Sequence, residues 1–270
     1  MKKETRNQPS QLDMLHEAVT KPGVLATCYR LFHRYSLFNQ FDAMCQCKAR
    51  KIEVGPINTF KGWEALGRRV KKGEKALWMT LPVTVKDKKA EPKADGTQPT
   101  STFFAYKPRW FVLSQTEGDD YTPPSLPDWS LDRALAALDI EQVPFEMTDG
   151  NCQGSATRRT VAVNPVASHP HRTLFHELAH VALGHTAEVT MHDTPTLSRD
   201  IRELEAECVS LLVASALEVD DDNGTGAAES RGYIQHWFKE SQVPKDSATK
   251  ILKVANQILA AGRPAKAVQS

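Results

Sequence analysis

Residues Leu174–Gly184 read LFHELAHVALG, and this stretch decides the fold of the second half of the chain. On an α-helix His176 and His180 stand one turn apart on one face, so two imidazole nitrogens can reach a single Zn²⁺ at about 2.0–2.1 Å. Glu177 follows His176 directly. Its carboxylate projects beside the position such an ion leaves open, where it can take a proton from bound water and ready that water for attack on a carbonyl. Leu174, Phe175, Leu178, Ala179, Val181, Ala182 and Leu183 make the helix nearly apolar around the histidines. Two imidazoles are costly to bury there unless their nitrogens have partners, and a metal supplies one.

Zinc on two histidines needs another protein ligand. Asp200–Ser215, DIRELEAECVSLLVAS, carries apolar residues at helical spacing through Leu204, Val209, Leu211, Leu212 and Val213. Glu203 and Glu207 are i,i+4 and share a face, whereas Glu205 lies about 200° around from Glu203. The expected division puts Glu203 on the metal and Glu207 behind it, accepting a hydrogen bond from a ligand histidine and fixing its tautomer. Glu205 is the rival ligand. A metzincin would place a third histidine at position 186, which is Thr186. His185 sits about 140° off the His180 face and is expected at the helix end, meeting the last carbonyls after Gly184 loosens the turn. Zn²⁺ is the expected cofactor, with another divalent transition metal such as Mn²⁺ as the alternative.

This pair of helices resembles the thermolysin-like (gluzincin) peptidases, whose second helix carries the glutamate ligand, and more closely the ImmA/IrrE-type and ArdC-type proteins. The likeness extends to CYRLFHRYSLFNQF (Cys28–Phe41), RVKKGEKAL (Arg69–Leu77), FVLSQTEG (Phe111–Gly118) and SRGYIQHW (Ser230–Trp237), which are similar to ArdC family signatures and spread over most of the chain. The resemblance implies a plasmid- or phage-associated antirestriction protein with an amino-terminal single-stranded-DNA-binding domain and a carboxy-terminal zincin-like domain. Tyr233 and His236, from the last of these runs, are candidates for stabilising an oxyanion. By the same likeness VAVNP (Val161–Pro165) suits the strand beside a zincin cleft, whose edge can receive an extended peptide.

The 270 residues suffice for two cores of ordinary size. No run approaches 18 uninterrupted apolar residues, and MKKETRNQPSQ at the start has no hydrophobic signal region. Five cysteines without CxxC spacing read as free thiols in a reduced compartment, so a cytoplasmic location with no membrane partner is expected.

The net charge of +1 conceals a segregation. Residues 1–116 hold 21 Lys and Arg against 10 Asp and Glu, and the remainder holds 13 against 23. An excess of +11 in the first half and −10 in the second points the first half toward a polyanion. Its candidate DNA-binding residues are Arg68, Arg69, Lys71, Lys72 and Lys75 beside Trp78, followed by Lys107 and Arg109 near Tyr106 and Trp110. Basic groups track phosphates while flat side chains stack on unpaired bases. Trp63 recurs with Leu66 and Val70 at helical spacing and is expected in the core.

Gln115–Ser130, QTEGDDYTPPSLPDWS, has three prolines and few aliphatics, the composition of an exposed connector. The expected organisation is a DNA-binding domain over 1–116, a linker over 117–130 and a zincin-like domain over 131–270. Lys86–Ser101 reads as a long flexible hairpin loop between strands Ala76–Val85 and Thr102–Leu113. Helices are expected near Gln11–Tyr35, Phe38–Lys48, Lys61–Val70, Leu131–Ala137, Glu229–Glu240 and Ala248–Ala261, with strands at Val143–Met147 and Arg159–Val163. The fold class is α+β: a small basic α+β domain followed by a mainly helical gluzincin-like one.

The function expected from all this is single-stranded-DNA binding joined to a zinc-dependent peptidase-like site, its protein substrate unspecified. The alternative is a non-enzymatic single-stranded-DNA-binding protection factor with a structural metal site. A nuclease would want the clustered aspartates of two-metal phosphodiester chemistry, which the sequence lacks.

Overall fold

The computed structural model of the chain describes residues 10–86, 91, 97–146, 151–186, 197–219, 225–240 and 243–265. It is an α+β protein that divides into two compact units: Asn39–Pro124, and Met1–Phe38 together with Ser125–Ser270.

The chain opens with α1 (Gln11–Thr20) and α2 (Val24–Phe32). One continuous helix was the expectation over Gln11–Tyr35, but Pro22 has no N–H to continue the ladder and the chain breaks there. Ser10 caps α1, accepting from the Asp13 N–H while Asp13 reaches back to the Ser10 N–H. Met14, Leu15, Ala18 and Val19 of α1, and Leu25, Cys28, Tyr29 and Phe32 of α2, are buried against the carboxy-terminal helices described below. These two helices therefore complete the helical core of the carboxy-terminal half, not the core of the basic half with which the sequence groups them. Periodicity shows that a helix has an apolar face, not which core receives it.

In the middle unit, α3 (Leu37–Arg50) leads to β1 (Ile57–Thr59), α4 (Phe60–Glu64), β2 (Arg68–Val70), β3 (Leu77–Lys86), β4 (Thr100–Val112) and β5 (Thr116–Gly118). One antiparallel sheet has the order β1-β4-β3, and β2 pairs separately with β5. The predicted helix over Lys61–Val70 stops at Glu64, because Arg68–Val70 pairs with Thr116–Gly118 nearly fifty residues on, a partner no local pattern shows. Trp63 is fully buried and donates its indole N–H to the Phe111 carbonyl at 2.9 Å. Tyr121 packs edge-on against it with ring centroids 5.1 Å apart, so the first residues of the supposed linker belong to this unit, and the division falls after Pro124. Most of the expected hairpin loop, 87–90 and 92–96, lies outside the described residues.

The free edge of β3 is capped by side chains at its start. Gln46 Nε2 donates to the Trp78 carbonyl at 2.7 Å and Gln46 Oε1 accepts from the Trp78 N–H at 2.9 Å. Asn39, two turns earlier on α3, does the same to Thr80 at 2.8 and 2.9 Å. Two amides spaced i,i+7 thus stand in for a neighbouring strand at Trp78 and Thr80, the first half of that edge.

The remaining unit continues with α5 (Leu131–Leu138), β6 (Glu141–Gln142), β7 (Gly154–Thr157), β8 (Thr160–Val163), α6 (Pro170–Ala182), α7 (Arg199–Leu217), α8 (Thr225–Glu240) and α9 (Lys245–Ala261). α7 is buried through most of its length, with Leu204, Val209, Leu211, Leu212 and Val213 enclosed, and forms the axis on which α1, α2, α6, α8 and α9 pack. Val143–Glu146 is irregular where a strand was expected. β6 and β7 flank β8 in the order β6-β8-β7, parallel on one side and antiparallel on the other. The VAVNP strand is therefore the centre of its small sheet, and the edges belong to β6 and β7. No described helix is long and apolar enough to cross a membrane.

Candidate metal centre

α6 begins with Pro170 at its first position, where the missing N–H leaves no hydrogen bond unmade. One apolar side, with Leu174, Phe175, Leu178, Ala179 and Val181 buried, locks the helix to the core. His176 and His180 then face α7 across a cleft of about 730 Å³ that also exposes Glu177, Glu203, Arg172 and Tyr233.

His176 Nε2 and His180 Nε2 lie 3.1 Å apart, and Glu203 Oε2 lies 3.3 Å from the first and 3.5 Å from the second. Ligand atoms held tetrahedrally at 2.0–2.1 Å from Zn²⁺ stand about 3.3–3.4 Å from one another. The three donors therefore already outline one face of such a tetrahedron, and their chemistry, two imidazoles and a carboxylate, suits a divalent transition metal. Burial alone would lower the His176 imidazole, but hydrogen bonds with Glu203 and Glu207 and the nearby Glu177 charge push it up to about 10. Hydrogen bonds from His176 and His180 hold the Glu203 carboxyl well below the usual range, against the effect of its burial. A cation taken up here replaces the proton those groups share.

Behind these donors stand two hydrogen-bonded chains. His176 Nδ1 is 3.0 Å from Glu207 Oε2. The other Glu207 oxygen is 3.2 Å from the Arg172 guanidinium and accepts from the Ser230 hydroxyl, which is also bonded to Arg172. Burial would raise Glu207, but the hydrogen bond from His176, its charge and the Ser230 and Arg172 groups keep it below its ordinary value. The second chain was not foreseen: His180 Nδ1 lies 3.0 Å from His185 Nδ1, and His185 Nε2 lies 3.1 Å from Glu205 Oε2. Glu205, the rival ligand, is thus turned away from the Glu203 side and is buried on His185.

His185 reaches His180 because α6 ends in a Schellman motif. Gly184 adopts φ +79°, its N–H bonds the Val181 carbonyl at 3.0 Å, and the His185 N–H bonds the His180 carbonyl at 2.9 Å. The expectation of a helix-end histidine holds for its backbone. Its ring, placed 140° away by extrapolating the helix, is swung back by the left-handed glycine.

Glu177 lines the cleft and is largely buried. Burial raises its pKa, the two histidines oppose this, and Glu203 adds to the rise, leaving it above the ordinary carboxylate value. Tyr233 lines the same cleft, whereas His236, its companion candidate, is exposed and does not.

Of the basic candidates in the middle unit, Arg68 is occupied: it donates to Thr116 Oγ1 at 2.9 Å and to the carbonyls of Thr116, Gly118 and Asp119, bracing β2 on β5. Arg69 pairs with Glu117 at 2.8 Å on the surface, and Lys71 donates to the Ser114 carbonyl at 2.9 Å. Lys72, Lys75, Lys107 and Arg109 are exposed, and Arg109 is the bulged residue that shifts the β3–β4 register. Trp78 is half-buried and stacked on Tyr106 with centroids 5.3 Å apart, and the Tyr106 hydroxyl donates to Asp42 at 2.9 Å. Among the described residues, Phe103 and Phe104 are the most exposed aromatic side chains, at 50% and 74%, and neither was a candidate from the sequence.

Comparison with known proteins adds two family matches. Residues 8–109 match the model of the N-terminal domain of anti-restriction factor ArdC, and residues 137–253 match the IrrE N-terminal-like domain. No curated protein matches the chain. Among solved structures it is similar to the metal-free crystal structure of the antirestriction ArdC protein from plasmid R388, with 17% identity over 93% of this chain and 96% of that one and a TM-score of 0.53. The Mn(II)-bound crystal structure of the same protein is similar at 16% identity, with the same coverage and a TM-score of 0.49. At this identity the likeness is one of fold.

Proposed function

Since the chain belongs to the ArdC-type antirestriction proteins, with an ArdC N-terminal domain ahead of an IrrE N-terminal-like domain, we propose that it binds single-stranded DNA and carries a zinc-dependent peptidase site. The observation that carries the second part is the triangle of His176 Nε2, His180 Nε2 and Glu203 Oε2, each within 3.1–3.5 Å of the others, with Glu177 in the same cleft. Zn²⁺ bound there would polarise a peptide carbonyl and acidify a water molecule. Glu177, raised above the ordinary carboxylate value, takes the water proton and passes it to the leaving amine. Glu207, anchored by Arg172 and Ser230, holds the His176 ring by its Nδ1 and leaves Nε2 for the metal. Tyr233, on the wall of the cleft, is the candidate donor to the developing oxyanion. β7, one edge of its sheet, supplies backbone groups for an extended peptide. A site open to a cleft favours catalysis over the closed coordination of a structural metal.

DNA binding rests on the middle unit, where residues 39–124 hold 15 Lys and Arg against 10 Asp and Glu, with Lys72, Lys75, Lys107 and Arg109 exposed as candidate phosphate partners and Phe103 and Phe104 exposed on β4 as candidate base partners. The peptidase reading is tested by Glu177→Gln, which keeps the shape of the side chain and removes the base. Incubated with a host-protein mixture, the metal-loaded parent should cleave and the variant should not, while both bind metal and DNA alike. A parent that cleaves nothing, or a variant that cleaves as fast, defeats it.

A further inference from the structure

The metal reading leaves one buried pair unused. His185 and Glu205 are almost wholly enclosed, with 5% and 1% of their side chains exposed, on the far side of His180 from the cleft. An ionised carboxylate in that setting needs a partner, and an imidazole there must place a proton on one nitrogen or the other.

The distances permit one consistent direction of donation. A cation on His180 Nε2 obliges His180 Nδ1 to carry the proton, and the atom 3.0 Å from it is His185 Nδ1, which must then be the bare, accepting nitrogen. His185 consequently carries its proton on Nε2, which donates to Glu205 Oε2 at 3.1 Å. We infer that His185 and Glu205 are positioning residues for the metal: Glu205 fixes the His185 tautomer, and His185 in turn fixes the tautomer and rotation of His180. The arrangement matches, one residue longer, the Glu207 contact behind His176, so each histidine is held from behind by a chain that ends on an α7 carboxylate. Gly184 makes the longer chain possible by returning the backbone toward the helix.

This inference rests on metal binding by His176, His180 and Glu203, and its test separates the two. Zn²⁺ is titrated into full-length protein against a chromophoric chelator, and histidine tautomers of the Zn²⁺-loaded parent are read from long-range ¹H–¹⁵N spectra. The parent should bind Zn²⁺ and show His185 protonated at Nε2 and His180 at Nδ1. Glu205→Gln and His185→Leu should weaken Zn²⁺ binding about 10–100-fold, the range seen when partners of ligand histidines are removed. His185→Asn, whose amide oxygen can stand where Nδ1 stood, should recover most of the affinity. A parent that binds no Zn²⁺ overturns the metal reading and this one with it. A parent that binds Zn²⁺ with His185 protonated at Nδ1, or variants within twofold of the parent, overturns the positioning role alone. The spectra need no variant to fold, so a merely structural His185–Glu205 pair is told apart in the parent itself.

Discussion

Gly154 lies so close to Glu177 that a β-carbon at position 154 would stand 2.9 Å from Glu177 Oε1 and 2.6 Å from Thr173 Cγ2. Both separations are below what carbon atoms tolerate, so the absent side chain is what lets the start of β7 rest against the catalytic candidate on α6. Gly154→Ala should push Glu177 out of place while leaving His176, His180 and Glu203 where they are. The expected result is a loss of hydrolysis of at least about tenfold, as misplaced reacting groups produce, with metal content unchanged by elemental analysis. Equal loss of metal would show that the β7 approach supports the whole site, not Glu177.

Stability should also depend on His33, far in sequence from the cleft. Its ring is 8% exposed, and burial, Arg263 and Arg34 lower its pKa from the ordinary 6.5. The folded chain thus refuses a proton that the unfolded chain accepts. As pH falls through about 6.5 toward the lowered folded value, stability is lost, and above 6.5 the group has no effect. Denaturant melts between pH 5 and 8 should show His33→Gln with a shallower acid-side decline than the parent. Parallel curves would remove His33 from the account.

The DNA reading separates charge from stacking. Replacing Lys71, Lys72 and Lys75 by Gln in the full chain should lower the slope of log affinity against log salt by up to about 2, from three charges at roughly 0.7 each. Lys71 already donates to a carbonyl, so the observed change should fall short of that. Phe103→Ala with Phe104→Ala should instead weaken binding by about 1–3 kcal/mol per stacked base and leave the slope intact. Fluorescence titrations of a labelled single strand across salt would show both. An unchanged affinity in either variant takes that group off the DNA surface.

The sequence showed the parts of this protein that depend on near neighbours in the chain. The i,i+4 spacing within His176 to His180 and within Glu203 to Glu207 anticipates which side chains meet, because both lie inside single helices. The apolar runs of β3 and β4 mark a hairpin for the same reason. What stayed hidden depends on distance or on backbone hand. β2 finds β5 only after the chain has passed through the β3–β4 hairpin, and Asn39 and Gln46 look like surface amides until β3 is laid against them. His185 was misdirected by treating the helix as continuous past Gly184, although a glycine followed by a buried-type residue at a helix end is itself the signal of a chain turning back. The partition of α1 and α2 had no local signature, since an apolar helix face names no partner.

The central claim is that His176, His180 and Glu203 together hold one divalent metal. Metal content and affinity, measured by competition titration on the parent and on His176→Ala, His180→Ala, Glu203→Ala and Glu177→Gln, test it most directly. The account predicts about one ion per chain in the parent and in Glu177→Gln, and little or none in the other three. Retention of parent-like affinity by Glu203→Ala would contradict it.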